Sequence, residues 1–472
     1  MRPYETVSRR VWRFRDVRIW LVIGLIVLAL LALWVVQAFQ LTPLLAPPSQ
    51  AISSQSSSAQ PHDWASVRRD TGGTAWSPGS ATAPPFSVRW EIATPGTVLG
   101  TPAVSGGRLF FATDDGLAIS ADAESSETLW TYDLGSPSDS APAVAGDLVF
   151  LGTRDHRVLA LDRDTGALRW QHDLGNIVLG SPIVVDGTVY IGSTNGALEA
   201  LDASNGQFRW SADANGWVVG HPASDGTVVA ATSLGERFIT VDPNTGRRRL
   251  VFYSGTPVAG GPVIADGRAY FVTNRGAVWA VDPEAVSWPF SRFAYVAKIN
   301  FFAWRLRSDP PRQTGTLWVG SARGKVKYSP AYASGNLFVV NEASRVTAFD
   351  GSSGSVVWAA QMDAEVVAEP LVSGDTLVLG TADGQLHGLE RRHRRGTVAA
   401  RHGRLPAVRR AISVRPDAVS THDGRQARGT GGPMKPARPA RTTAAHPRLT
   451  VDSPVPILAA HSERQPGAHD PR

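Results

Sequence analysis

The residues in this sequence best suited to chemistry are its carboxylates and imidazoles. Asp164-Thr165-Gly166 spells the triplet in which an acid protease carries a catalytic carboxylate. Asp162, Asp202, Asp242, Asp282 and Asp350 are acidic groups that could activate water or hold a cation. Five histidines, His62, His156, His172, His221 and His387, precede the last eighty residues, and none stands at the short spacing that brings two metal ligands onto one element. Cysteine is absent, which removes a thiolate nucleophile, a thiolate zinc site and any disulfide. The aspartates recur at a fixed interval, and Asp164-Thr165-Gly166 lies within that recurrence. Both features are therefore expected to be structural. No catalytic constellation is left, no metal or cofactor is expected, and binding is favoured over catalysis.

The interval is the clearest signal in the chain. Trp90, Trp130, Trp170 and Trp210 are spaced by 40 residues, Leu250 continues the series, and it restarts at Trp318 and Trp358. A proline opens each unit, at Pro102, Pro142, Pro182, Pro222, Pro262, Pro330 and Pro370, so seven units are visible. In Ser181 to Trp210 four apolar runs are separated by Asp186-Gly187, Asn195-Gly196 and Asn205-Gly206. These pairs supply the positive φ of tight hairpins, so each unit reads as a four-stranded antiparallel meander. Four short strands every 40 residues predict an all-β propeller of seven or eight blades over residues 63–390.

Each unit ends in a motif. Ala160 to Trp170, ALDRDTGALRW, resembles the tryptophan-docking motif A-x-D-x-x-T-G-x-x-x-W of the PQQ-like, quinoprotein-type and BamB-like propellers at every specified position. Ala200 to Trp210 and Ala348 to Trp358 match it with Asn205 and Ser353 for the threonine. Ser120 to Trp130 departs from it, with Glu127 read at the glycine place, and Val241 to Leu250 lacks the tryptophan. The resemblance implies that Trp90, Trp130, Asp162, Thr165, Gly166, Trp170, Asp202, Gly206, Trp210, Asp350, Gly354 and Trp358 dock neighbouring blades. It also implies two functions. One is a non-enzymatic scaffold for protein partners, as in BamB-like propellers. The other is a quinone-dependent alcohol dehydrogenase or small-ligand sensor. The dehydrogenases of this family pair their quinone with a vicinal disulfide, which a chain without cysteine does not form.

Composition places the propeller. The chain carries +6, but Met1 to Arg18 contributes +4 and Arg391 to Arg472 contributes +12, which leaves −10 for Ile19 to Glu390. An acidic body repels phosphate, so no nucleic-acid partner is expected. Ile19 to Phe39 is 21 residues without a charge, enough at about 1.5 Å per residue to cross a bilayer as a helix. Five arginines lie between Arg9 and Arg18, and neither Lys nor Arg follows until Arg68. This asymmetry predicts a single-pass anchor in the cytoplasmic membrane, residues 1–18 inside and the propeller outside. The apolar run exceeds the roughly 7–15 residues of a cleaved signal peptide. Residues 40–62, rich in Pro, Ser and Gln, read as a linker.

Two stretches break the period. Glu284 to Gly315 sets Trp288, Phe290, Phe293, Tyr295, Phe301, Phe302 and Trp304 among Arg292, Lys298, Arg305 and Arg307. That composition suits a partner-docking surface or a short helix in a membrane interface, or else rings that fold back to cover the propeller or plug its channel. The seventh unit breaks off after Glu390 without its fourth strand. Either Ser87 to Glu91 supplies that strand, or residues 391–472 are read out of frame and an eighth blade is lost. Removing one base from the Glu390 codon permits the expected motif ending. In both cases residues 391–472 are expected to be a disordered basic tail.

Overall fold

The computed structural model describes residues 24–28, 63–78, 88–306, 308, 311–391 and 403–404, all within the first of two units, Met1–Arg415 and Pro416–Arg472. The expected cytoplasmic segment 1–18, the linker 40–62 and nearly all of the tail 391–472 lie outside these residues. So does most of the expected anchor 19–39, of which Gly24–Leu28 are helical. Among the described residues no helix is long and apolar enough to cross a membrane.

Seven antiparallel sheets follow one another, each a meander in sequence order. Blade 1 is Ala103–Ser105, Arg108–Ala112, Leu117–Asp122 and Thr128–Asp133. Blades 2 to 4 repeat it and begin at Ala143, Ile183 and Ala223. Blade 5 begins at Val263, and its fourth strand, Thr316–Ser321, follows the insertion. Blade 6 runs from Ala331 to Gln361 and blade 7 begins at Leu371. In each blade we name the strands A to D from the inside outward. Because A and C run one way and B and D the other, the A–B and C–D turns cap one face, and the B–C turns and interblade loops form the other.

Burial follows from the pleat. The B and C strands are buried on both faces, as in Leu148–Gly152 and Arg157–Asp162, and so are nearly all apolar. The D strands bury essentially their tryptophan and leave alternate residues in water. Each core layer therefore lies between blades, with B- and C-strand residues of one packed against B- and C-strand residues of the next.

The seventh sheet does not draw its outer strand from the stretch before blade 1, as one expectation had it. Its outer strand is Gly403–Arg404, paired with His387 and Gly388. Val88 to Glu91 form no strand, although Trp90 still docks on blade 1. The second correction concerns blade 1: the glycine place is filled by Ser126, at φ 66°, and not by Glu127. The cap of the C–D turn needs a left-handed residue at that position, and here a serine takes it.

Candidate binding surface

The docking residues come together as the motif implies. In every seam with a tryptophan, its indole Nε1 donates to the carbonyl 33 residues on. These bonds are Trp90 to Ala123 (3.2 Å), Trp130 to Arg163 (2.9 Å), Trp170 to Ala203 (2.9 Å), Trp210 to Pro243 (2.9 Å), Trp318 to Gly351 (2.8 Å) and Trp358 to Arg391 (3.0 Å). Each accepting carbonyl follows the motif aspartate, or Glu390 in its place. Three residues further on, Gly166, Gly206 and Gly354 lie against the faces of Trp130, Trp170 and Trp318, where a Cβ would come within 2.7 Å of a ring atom. Asp162 accepts the amides of Asp164 and Thr165 and the Thr165 hydroxyl, and Asp350 serves Ser352 and Ser353 likewise. Asp202 accepts the Ser204 amide and hydroxyl.

These aspartates are turn builders. Asp162 is held far below the usual carboxylate range by the Arg169 guanidinium and the Thr165 donors, and Asp202 is lowered to about 2 by Ser204 and Arg209. Neither is poised to take a proton near neutrality. Thr165 spends its hydroxyl on Asp162, and Asp164 faces solvent beside Arg108 and Arg163. His156, in the B–C turn, and His172, in the fourth strand, belong to blade 2, His387 belongs to blade 7, and His62 lies outside the described residues. Among the described residues no three His, Asp or Glu side chains gather as a metal site.

The sequence reading missed the propeller axis, which the chain fills itself. Asp63 to Pro78 runs down the channel and back, pairing with the inner strands of six blades. The amides of Val104, Val144, Ser224, Ile264, Tyr332 and Val372 donate to the carbonyls of Trp64, Ala65, Thr71, Gly72, Thr74 and Ala75, at 2.7 to 2.9 Å. Trp76–Ser77 adds a parallel strand to blade 7. Gly72 and Gly73 permit the closest approach, since a Cβ on Gly72 would lie 2.5 Å from the Ile264 carbonyl oxygen.

At the far end of this segment three ionisable groups meet. Arg68, with a side chain 3% exposed, donates to Glu369 Oε2 at 2.8 Å and to the Pro330 carbonyl at 2.6 Å. Glu369 Oε1 accepts the Ser329 amide at 3.0 Å. His221 is buried, with Nδ1 3.0 Å from the Pro222 carbonyl oxygen and its ring against Gly73 and Gly261. Burial, with the Arg68 charge adding to it, lowers His221 to about 4. Burial pulls the Glu369 carboxyl upward, but Arg68 and His221 outweigh it and hold it below its ordinary value. A sequence signal existed. His221 and Glu369 each precede a blade-opening proline, where the other units carry Thr101, Ala141, Ser181, Gly261 and Ser329.

The insertion neither covers the propeller nor plugs the channel. Ser287 and Gln313 form its stem and pair with the outer edge of blade 4: Ser287 Oγ accepts the Val251 amide at 2.9 Å, and Gln313 exchanges two bonds with Tyr253. Between them stands a helix, α1 (Ser291–Ala303), with no buried residue. Trp288, Phe290, Phe301, Phe302 and Trp304 are all exposed.

Comparison with known proteins follows this architecture. The sequence family described as outer membrane protein assembly factor BamB matches residues 64–284 and 303–423. A search of curated proteins finds no match. Among solved structures, BamB from Moraxella catarrhalis is similar at 18% identity and a TM-score of 0.50, over 62% of this chain and 83% of that one. A europium-containing methanol dehydrogenase is similar at 14% identity and a TM-score of 0.56, over 70% and 84%. The quinohemoprotein alcohol dehydrogenase from Comamonas testosteroni is similar at 14% and 0.52, over 71% and 72%. At such identities the structures share a fold and nothing finer is carried over. The docking motif, the seven meanders and the extent of the family match lead to one conclusion: the chain belongs to the outer membrane protein assembly factor BamB family of PQQ-like β-propellers.

Proposed function

We propose that this protein is a non-enzymatic scaffold for protein partners, tethered through residues 19–39 to the outer side of the cytoplasmic membrane. One observation carries the reading. The axis, where a sensor or quinone enzyme on this fold would hold its ligand, is taken by Asp63 to Pro78, hydrogen-bonded to six of the seven inner strands. Family membership supports it as well. The quinone alternative also fits this chain poorly on its donor set, since there is no cysteine for the paired sulfurs and no carboxylate cluster for a cation among the described residues.

The face of B–C turns and interblade loops suits a protein partner. Leu99, Ile177, Trp217 and Val367 are exposed there, one or two to a loop, and give an apolar target without an enclosed pocket. The test uses the full chain purified in detergent. Mass spectrometry and absorbance should find no quinone, and cross-linking in membranes should trap proteins that Trp217→Glu with Ile177→Glu releases. A stoichiometric quinone, or cross-links indifferent to that face, would remove the scaffold reading.

A further inference from the structure

Two features leave the propeller on the same face. Helix α1 interrupts the C–D turn of blade 5, between Asp282 and Thr316. The axial segment enters at the A–B turn of blade 1, where the Gly106 amide donates to Asp63 Oδ1 at 3.2 Å. It leaves at the A–B turn of blade 7, where the Gly374 amide donates to the Ser77 carbonyl at 2.8 Å. The chain that leads back to the uncharged run Ile19 to Phe39 thus emerges on the side where α1 stands.

The helix has two distinct faces. Arg292 stacks over the Tyr253 ring at 4.6 Å, and Tyr295 turns the same way, so this face is fixed to blade 4. Phe290, Phe293, Ala297, Phe301 and Trp304, spaced by three and four residues, line the opposite face. Phe293 is 75% and Trp304 67% exposed. Lys298 and Arg305 flank the stripe, and no acidic residue occurs from Ala285 to Leu306, although the body from Ile19 to Glu390 carries −10.

The geometry points to this stripe lying in the headgroup region of an anionic phospholipid bilayer, with the A–B and C–D turn face of the propeller toward the membrane. Bulky rings on a convex ridge enter the boundary between headgroups and acyl chains, and Lys298 and Arg305 meet lipid phosphates. Phe290 to Trp304 then acts as a second attachment that fixes the orientation of the propeller, which a flexible tether alone leaves free. The inference rests on the membrane-tethered reading, and its test separates the two.

The chain has no cysteine, so single probes are placed without background. The full chain, labelled with an environment-sensitive fluorophore at Phe293→Cys or at Asp363→Cys on the opposite face, is reconstituted in nanodiscs with brominated acyl chains, with and without phosphatidylglycerol. Co-elution with the discs reports the tether, and quenching by bromine reports the stripe. In anionic discs the label at 293 should be quenched at least about twofold more than the label at 363, and Lys298→Glu with Arg305→Glu should abolish the difference. Co-elution with equal or absent quenching at the two positions overturns this inference and leaves the tether standing. A ridge that docks a protein groove instead gives that same unquenched result. Failure to co-elute overturns both.

Discussion

Acid should loosen the axis through His221, and the size of the effect follows from its burial. The imidazole titrates at about 4 in the folded chain against 6.5 when free. The folded state therefore binds fewer protons than the unfolded state between those values, and stability falls as pH drops through that window. It is fully present above pH 6.5. At pH 5 the unfolded imidazole is almost wholly charged and the folded one almost wholly neutral, which costs about 2 kcal/mol. For a domain of roughly 300 residues that corresponds to about 3 °C in Tm. Carboxylates held low in the fold, such as Glu369 and Asp162, lose their contribution only as pH falls through their ordinary values of 4.5 and 3.8, so melts at pH 7.5 and pH 5 isolate the imidazole when compared with His221→Asn. Asparagine keeps a polar atom toward Pro222 and has no proton to gain. The wild type should lose about 3 °C more on acidification than the variant. Equal losses would mean that the imidazole is charged in the fold, and the account of the axis would be wrong.

Other substitutions test the seams and the axial segment. Trp170→Ala removes a ring packed against Phe150 and the bond to Ala203, and should cost about 3–5 kcal/mol in urea unfolding. Gly206→Ala places a Cβ 2.5 Å from that same ring at φ 72°, and should cost about 1–3 kcal/mol although it adds only a methyl group. Arg68→Ala leaves Glu369 without its cation. Because the Glu369 side chain remains a third exposed, the expected loss is about 2 kcal/mol, which Glu369→Gln in the same chain should partly restore.

The blades were legible in the sequence because a propeller repeats its signals. Each Asp-Gly or Asn-Gly turn, each proline and each docking tryptophan appears several times, so substitutions such as Ser126 for glycine do not hide the pattern. The contacts that occur once were not legible. Asp63 to Pro78 has no period, since it meets each blade at a different residue, and it pairs through backbone groups that leave little trace in side-chain choice. Only Gly72 and Gly73, and the bulky residues before Pro222 and Pro370, mark its path. The pairing of Gly403–Arg404 with blade 7 is likewise a backbone event within a stretch whose composition suggests no strand.

Two irregularities in the repeat fall at the same seam. Blade 4 has Leu250 where blades 1, 2, 3, 5 and 6 carry tryptophan, and Ala230 where Phe110, Phe150, Tyr190, Tyr270 and Phe338 pack at a tilt against that tryptophan. The indole would have docked on the carbonyl of Pro283, at the C–D turn of blade 5, and that is the turn the insertion opens. The turn keeps its cap across the insertion, with Asp282 accepting the Glu284 amide at 2.9 Å and donating its own amide to the Gly315 carbonyl at 2.8 Å, and Gly315 lies beside Leu250. The seam is held instead by Phe238, Phe252, Phe271 and Trp279, with Phe238 stacked on Phe271 at 4.8 Å. The insertion stem adds its own bonds to the free edge of blade 4 through Ser287 and Gln313. The missing tryptophan and the aromatic helix therefore meet at one seam, where phenylalanine packing and the stem of the insertion hold blades 4 and 5 together and the outer turn carries an exposed ridge.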